Sequence, residues 1–299
     1  MEIEFIRALR KRLPESPHLA VGPGDDAAVL QPDGSVVTCD LLCDGTHFSL
    51  ATDSPARIGR KALAVNLSDL AAMAAQPIAA FLAVALPRKK TAIAEQLLDG
   101  MLPLAEQFDV ALAGGDTNVW DGPLVVSITL IGRCPDKPLL RSGAKPGDHL
   151  LVTGSFGGSR LGKHFDFIPR IEEALYLQNH HTLHAGIDCS DGLSLDAARL
   201  AEESGCGVAL DLASVPTSTA ATRMAAEDNT RSPLERALGD GEDFELLLAV
   251  PPIAATALIA AQPLAARVTK IGTFIETPGL WQGTDELCPL PVTGFEHQA

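Results

Sequence analysis

The sequence predicts an α/β chain of two domains. Two observations carry this reading: helical and strand periodicities interleave along the 299 residues, and a polar, turn-rich run, Arg141-Ser142-Gly143-Ala144-Lys145-Pro146-Gly147-Asp148, separates two strand-rich hydrophobic stretches. A hydrophobic content of 46% is enough for a core in each half. The expected division is 1–140 and 147–299.

At the N-terminus, Ile3, Phe5, Ile6 and Leu9 interleave with Glu2, Glu4, Arg7, Arg10 and Lys11, the pattern of an amphipathic helix rather than of a signal peptide. Residues 35–38 read as a strand running into Asp40. Residues 57–75 read as a helix closed by Pro77, because Ile58, Ala62, Val65 and Ala72 recur at helical spacing. A short buried strand is expected at 81–86, a helix through Ile93, Leu97, Met101, Leu104 and Phe108, and a strand at 110–113 that ends in Gly114-Gly115-Asp116. Residues 124–131 alternate outward Ser127 and Thr129 with inward aliphatics, as a half-buried strand does. In the second half the expected elements are a turn at 188–192, a helix at 194–203, and strands at 208–212 and 244–250.

Composition excludes several classes of function. A net charge of −15, with scattered basic residues, leaves no basic stripe for nucleic acid. No apolar run approaches the roughly 18 residues of a membrane span. The six cysteines form no CxxC pair and no metal-knuckle spacing, so neither a zinc site nor a disulfide framework is expected, and reduced thiols point to the cytoplasm. An acidic chain can still bind a polyphosphate when divalent cations stand between carboxylate and phosphate.

The carboxylates cluster in a recurring local chemistry, Asp beside Gly, at Gly24-Asp25-Asp26, Gly114-Gly115-Asp116, 188–192 and 239–243. Each is read as a turn where a strand stops, with glycines that let a backbone N–H approach a phosphate. A plain surface turn explains any one of them; several together point to a Mg-nucleotide site. Asp69 is the sharpest single residue, because Asn66 and Asp69 share one face of an otherwise apolar helix, and a buried Asp needs a cation or donors. His47 carries little read alone. There is no GxxxxGK[ST] loop, no GxGxxG after a strand and no protein-kinase motif set. The Gly-rich stretch 154–158 lacks the following Lys-Ser or Lys-Thr and reads as a turn.

Taken in order, Gly24-Asp25-Asp26-Ala27-Ala28, Asp40 through His47-Phe48, Asn66-Leu67-Ser68-Asp69-Leu70-Ala71-Ala72-Met73, Gly114-Gly115-Asp116-Thr117, the 141–148 run, Asp188-Cys189-Ser190-Asp191-Gly192-Leu193 and Gly241-Glu242-Asp243-Phe244-Glu245-Leu246 closely resemble the thiamine-monophosphate kinase family. The chain resembles more weakly a superfamily of ATP-using enzymes that includes aminoimidazole ribonucleotide synthetase and selenophosphate synthetase. The resemblance implies an N-terminal α/β domain whose strands form a barrel across a homodimer interface, and a C-terminal α/β domain with a mixed sheet and helices. It implies ATP as co-substrate, thiamine monophosphate as acceptor, and several Mg2+ ions held by Asp26, Thr38, Asp40, Asp69, Asp116, Asp188 and Asp191. Asp26, Asp69, Asp116, Asp188 and Asp191 would be the catalytic set. Gly115, Asp116, Arg141 and Ser190 would contact the nucleotide, and His47, Glu242 and Phe295 the acceptor.

Four features depart from the family pattern. Cys39 stands where a hydroxyl residue is usual, Asp44 where Glu is usual and Ala74 where Gly is usual. The stretch between Gly158 and His184 is short, with His164-Phe165-Asp166-Phe167-Ile168-Pro169-Arg170 in place of an Arg-Pro-rich segment. Two alternatives stay open on the sequence: another ATP-dependent phosphoryl transfer of the same superfamily, and a non-catalytic nucleotide-binding paralogue.

Overall fold

The computed structural model describes residues 2–13, 16–284 and 286–295, and side chains from residue 7 onward. The first half contains α1 (Glu2–Arg12), β1 (Leu19–Val21), β2 (Ala28–Leu30), β3 (Ser35–Cys43), α2 (Pro55–Ala72), β4 (Gln76–Pro87), α3 (Ile93–Gln107), β5 (Ala111–Trp120) and β6 (Val125–Arg133). Its strands form one six-stranded sheet in the order β1-β2-β3-β6-β4-β5. Within one chain this sheet is open, with β1 and β5 at its edges.

Strand alternation gives the sheet two unlike faces. Val126, Ile128 and Leu130 of β6 are buried beneath the helices, as the alternation of the sequence predicts. Thr38 and Asp40 pair with Leu130 and Ile128 and so share this inner face. Cys39 and Leu41 pair with Thr129 and Ser127 on the outer face, where Phe81 and Ala83 of β4 join them. Leu41 is 56% exposed and Phe81 40%. β4 is therefore a twelve-residue strand with an exposed outer face, not the short buried strand expected at 81–86. β5 likewise does not stop at its glycines. It runs through Gly114, Gly115 and Asp116, pairing them with Phe81, Leu82 and Ala83. A Cβ at Gly115 would lie 1.7 Å from the Leu82 carbonyl oxygen, so glycine here permits close strand contact.

The second half contains β7 (His149–Thr153), α4 (Lys163–Asp166), α5 (Ile171–His180), β8 (Ala185–Asp188), α6 (Leu193–Glu203), β9 (Gly207–Leu210), α7 (Thr219–Asp228), α8 (Pro233–Gly239), β10 (Leu246–Val250), α9 (Pro252–Ala261), β11 (Val268–Ile275), β12 (Gly279–Gln282) and β13 (Cys288–Pro289). Its mixed sheet has the order β13-β12-β9-β11-β7-β10-β8. β10 is buried along its whole length because it is covered on both faces. Leu246, Leu248 and Val250 continue the core of α2 and α3, whereas Leu247 and Ala249 pack with Leu193, Ala197 and Leu200 of α6. One core thus joins the two sheets through α2. Among the described residues no helix is long and apolar enough to cross a membrane.

Helix α2 starts at Ser54, whose Oγ accepts the Arg57 N–H at 3.4 Å, with Pro55 in the first turn. On its far side it meets α3 without an intervening side-chain layer. A Cβ at Gly59 would lie 2.0 Å from the Leu97 carbonyl oxygen, and one at Gly100 1.7 Å from that of Ala56. Gly100→Ala must push two helices apart, and we expect it to cost about 3 kcal/mol, at the upper end for overpacking. Thermal denaturation followed by circular dichroism checks this; an unchanged midpoint would mean that the helices are not in backbone contact.

Candidate active site

Three distant stretches of chain bring carboxylates together beneath the first sheet. Asp26 comes from the turn before β2, Asp69 from α2 and Asp188 from the end of β8, and one oxygen of each lies within 4.8 Å of the others. Neighbouring hydroxyls orient them. Thr38 Oγ1 donates to Asp69 Oδ2, and Ser68 Oγ donates to Asp188 Oδ2 at 2.5 Å. Asp40 reaches the same region from β3, where its backbone N–H donates to Asn66 Oδ1 at 3.2 Å. The Asn66 and Asp69 face of α2 that the sequence singled out is thus turned to β3.

The electrostatics of this cluster call for positive charge. Burial, followed by the negative charges of Asp40, Asp188 and Asp26, pushes the Asp69 carboxyl well above the usual carboxylate range. Burial and then Asp26 do the same to Asp188, and burial with Asp191 pushes Asp40 up to about 6. Arg141 supplies one cation: its Nε donates to Asp26 Oδ2 at 3.1 Å and its second nitrogen to Oδ1 at 2.7 Å. Its backbone N–H lies 3.2 and 3.3 Å from the Asp25 carboxylate oxygens. Burial disfavours the guanidinium charge, but Asp26, Asp188 and Asp25 raise its pKa further above the usual value. Converging carboxylate oxygens, whose charge Arg141 offsets only in part, fit a hard divalent cation such as Mg2+.

The turn after β8 is held from several sides. Asp196, in the first turn of α6, accepts the N–H groups of Asp191 and Gly192, each at 3.0 Å. Burial and the Asp191 charge push Asp196 up to about 7. Arg199 pairs with Asp191 and, at 3.0 Å, with Asp196. The Ser190 carbonyl accepts from the Glu242 N–H at 2.6 Å, and the Asp191 carbonyl from the Phe295 N–H at 2.8 Å. Ser190, Asp191, Glu242 and Phe295, all expected at the site, are therefore brought together, with Phe295 46% exposed.

His47 and Glu242 meet through a residue that the sequence reading did not single out. Lys61 of α2, wholly buried, donates to the His47 carbonyl at 2.8 Å and to Glu242 Oε1, and its Nζ lies 3.2 Å from His164 Nδ1. Burial pushes the Lys61 ammonium below its usual range, partly opposed by Glu242. Although burial disfavours its charge, His164 and Lys61 hold Glu242 below the usual carboxylate range. Lys61 and Ser68 are seven residues apart and share a helix face, a signal that could have found the pair. Asp196 and Arg199 carried no comparable signal, since a charged i, i+3 pair reads as a solvated helix surface.

Not every expected residue joins the cluster. Gly115 and Asp116 lie on the edge strand β5, where Asp116 pairs with Ala83 on the outer face, opposite Thr38 and Asp40. Its side chain is exposed and accepts the Thr117 N–H at 2.9 Å. Cys39 also faces outward. Its Sγ lies 3.6 Å from Ser127 Oγ and 3.3 Å from Thr129 Oγ1, so the thiol turns away from Asp40, its neighbour in sequence. Of the Asp-Gly turns, 188–192 closes β8 and 24–26 lies in the turn from β1 to β2, whereas 114–116 lies within β5 and 239–243 follows α8.

Comparison with known proteins agrees with this geometry. The N-terminal domain of AIR synthase related protein matches residues 24–134, and the C-terminal domain of AIR synthase related protein matches residues 145–280. A thiamine-monophosphate kinase of Rhodopirellula baltica is 44% identical over 310 aligned positions, covering 99% of this chain and 97% of its own. That of Escherichia coli (strain K12) is 37% identical, covering 93% of this chain and 92% of its own. The solved structure of AaThiL complexed with AMPPCP and TMP superposes with a TM-score of 0.85 at 27% identity, covering 99% of this chain and 97% of its own. The chain therefore belongs to the thiamine-monophosphate kinase family, within the wider group of AIR synthase related proteins.

Proposed function

We propose that this chain transfers the γ-phosphoryl group of ATP to the phosphate of thiamine monophosphate, giving thiamine diphosphate and ADP. The observation that carries this reading is the convergence of Asp26, Asp69 and Asp188 in a chain that matches thiamine-monophosphate kinases along almost its whole length. The related AaThiL complexed with AMPPCP and TMP supports both substrates. Incubation with ATP and thiamine monophosphate should yield thiamine diphosphate by chromatography, with ADP release dependent on that acceptor. ADP release with other acceptors but not with thiamine monophosphate would favour a different activity of the superfamily.

An acceptor phosphate oxygen is largely ionised at neutral pH, so in-line attack on the γ-phosphorus needs no strong general base. The obstacle is the mutual repulsion of two polyanions. Bound Mg2+ would neutralise the phosphates and the charge that develops toward the β–γ bridge. Asp26, Asp69 and Asp188 would hold it, together with Asp40, Asp191 and Thr38. Thr38 and Ser68 fix the direction of two of these carboxylates, Arg141 fixes Asp26, and Asp196 holds the Asp191 turn. Arg141 and Ser190 would face the nucleotide, and His47, Glu242 and Phe295 the acceptor. The division at 1–140 and 147–299 would then set the carboxylate cluster between the two halves. A cytoplasmic location is part of this reading and is supported by six unpaired cysteines.

The reading also includes a homodimer. Its support is the outer face of the first sheet, where exposed Leu41 and Phe81 accompany the open edge strand β5. Asp116 lies on that face. If it serves the site of a second copy, a dimer supplies what the single chain does not bring together.

Asp69→Asn removes a charge from the cluster at constant shape. We expect turnover to fall by at least about 100-fold, the scale of losing one key electrostatic group, with the circular dichroism spectrum unchanged. Near-normal turnover at saturating magnesium would contradict a metal role. Mixing separately inactive Asp69→Asn and Asp116→Asn proteins and allowing subunits to exchange should restore roughly a quarter of wild-type activity, because half the dimers are mixed and each mixed dimer has one intact site. No recovery after verified exchange would place Asp116 in its own subunit's site or outside any site.

A further inference from the structure

Helix α2 carries a lysine whose burial the carboxylate cluster does not explain. Lys61 is 0% exposed in a helix otherwise lined by Ile58, Ala62, Leu63 and Val65, where Leu or Met would pack without desolvating a charge. Its ammonium is surrounded by groups from separate parts of the chain: it donates to the His47 carbonyl in the β3–α2 loop and to Glu242 in the loop before β10, and it lies 3.2 Å from His164 Nδ1 in α4. His164 Nδ1 in turn lies 3.2 Å from Glu242 Oε2. That nitrogen can accept from Lys61 or donate to Glu242, and either bond keeps the ring against the carboxylate.

His164 belongs to the segment where this chain departs from its family, and α2 holds that segment firmly. Arg60 donates to the carbonyls of Phe165 and Phe167 at 2.5 and 2.6 Å. Arg57 pairs with Asp166 at 2.7 Å and lies over the Phe165 ring, 4.6 Å from its centre. Glu242 itself sits at φ +55°, a left-handed conformation that a non-glycine residue keeps only where the surroundings impose it. Its N–H bond to Ser190 and its two side-chain partners are that imposition.

We propose that Lys61 and His164 are positioning residues for the acceptor: they fix the Glu242 carboxylate and the His47 loop in the arrangement that receives thiamine monophosphate. The inference rests on the functional reading above, in which His47 and Glu242 face the acceptor. It makes segment 163–167, pinned by Arg57 and Arg60, a wall of the acceptor pocket. The nucleotide side has its own anchors in Arg141, Asp196 and Arg199. A fault at Lys61 or His164 is therefore selective between the two substrates.

The test is the Michaelis constant for each substrate in Lys61→Met, His164→Leu and His164→Asn. Losing a charge-assisted hydrogen bond to Glu242 should raise KM for thiamine monophosphate about tenfold in Lys61→Met, and about threefold in His164→Leu. KM for ATP should stay within about twofold in both, and His164→Asn, which keeps a polar atom near the Nδ1 position, should return KM for the acceptor toward wild type. Should Lys61→Met fail to fold by circular dichroism, the His164 pair decides, because that side chain is 13% exposed and tolerates exchange. Acceptor and ATP constants that rise together, or an acceptor constant that does not move, would overturn the positioning role. Wild-type protein with no turnover of thiamine monophosphate would instead overturn the functional reading and this inference with it.

Discussion

Polar side chains buried on a helix have to find partners outside it, and in this chain that requirement falls on α2. Lys61, Asn66 and Ser68 are at most 1% exposed, and each engages a group from elsewhere in the chain, with Asp69 beside them. Leaving any one unpaired costs about 1–3 kcal/mol, more for the charged pair. Those costs restrict how β3, β8, α4 and the loop before β10 can be arranged around the helix. The apolar core shared by both sheets supplies most of the stability; the polar contacts of α2 select one arrangement among those the core would tolerate.

The same helix divides the charge of the site. Near its C-terminal end it contributes to a group of carboxylates that oppose one another's ionisation, and two turns earlier it offers a buried ammonium to Glu242. Arg141, from the run between the two halves, and Arg199, from the second half, complement the carboxylates. Negative charge is thus concentrated where metal-bound phosphates would be received, and the side proposed for the acceptor is kept close to neutral by the Lys61–Glu242 pair. A strongly acidic protein can in this way bind polyanionic substrates without a basic surface.

Much of this was legible in the sequence, and the exceptions have physical causes. The helix of α2 and the alternation of β6 were read correctly, although β6 buries one face whereas α2 is buried on nearly every side. The pairing of Asn66 with Asp69 followed from the rarity of buried carboxylates. β5 was read as ending at Gly114 because glycine usually marks a turn. Here it instead admits the Leu82 carbonyl, a long-range contact that no local pattern encodes. The outward direction of Asp116 depends on that same strand continuing. Lys61 was passed over because lysine in a helix is ordinarily solvated, and only the fold reveals the His47 carbonyl and Glu242 as acceptors beside it. Ala74, noted as a departure from the family glycine, has φ +50°, so the backbone geometry that favours glycine is retained without it.

The glycine contact between α2 and α3 sets the mechanical character of the site. Side-chain layers between helices deform by changing rotamers, but backbone resting on backbone has no such compliance. From Lys61 to Asp69 the helix rises roughly 12 Å, at 1.5 Å per residue. Anchored on α3 just before that span, at Ala56 and Gly59, the helix behaves as a stiff ruler between the Lys61–Glu242 pair and the carboxylate cluster. A disturbance of the seat would displace both ends of the ruler at once, so two glycines set the position of the buried ammonium and of the carboxylates together.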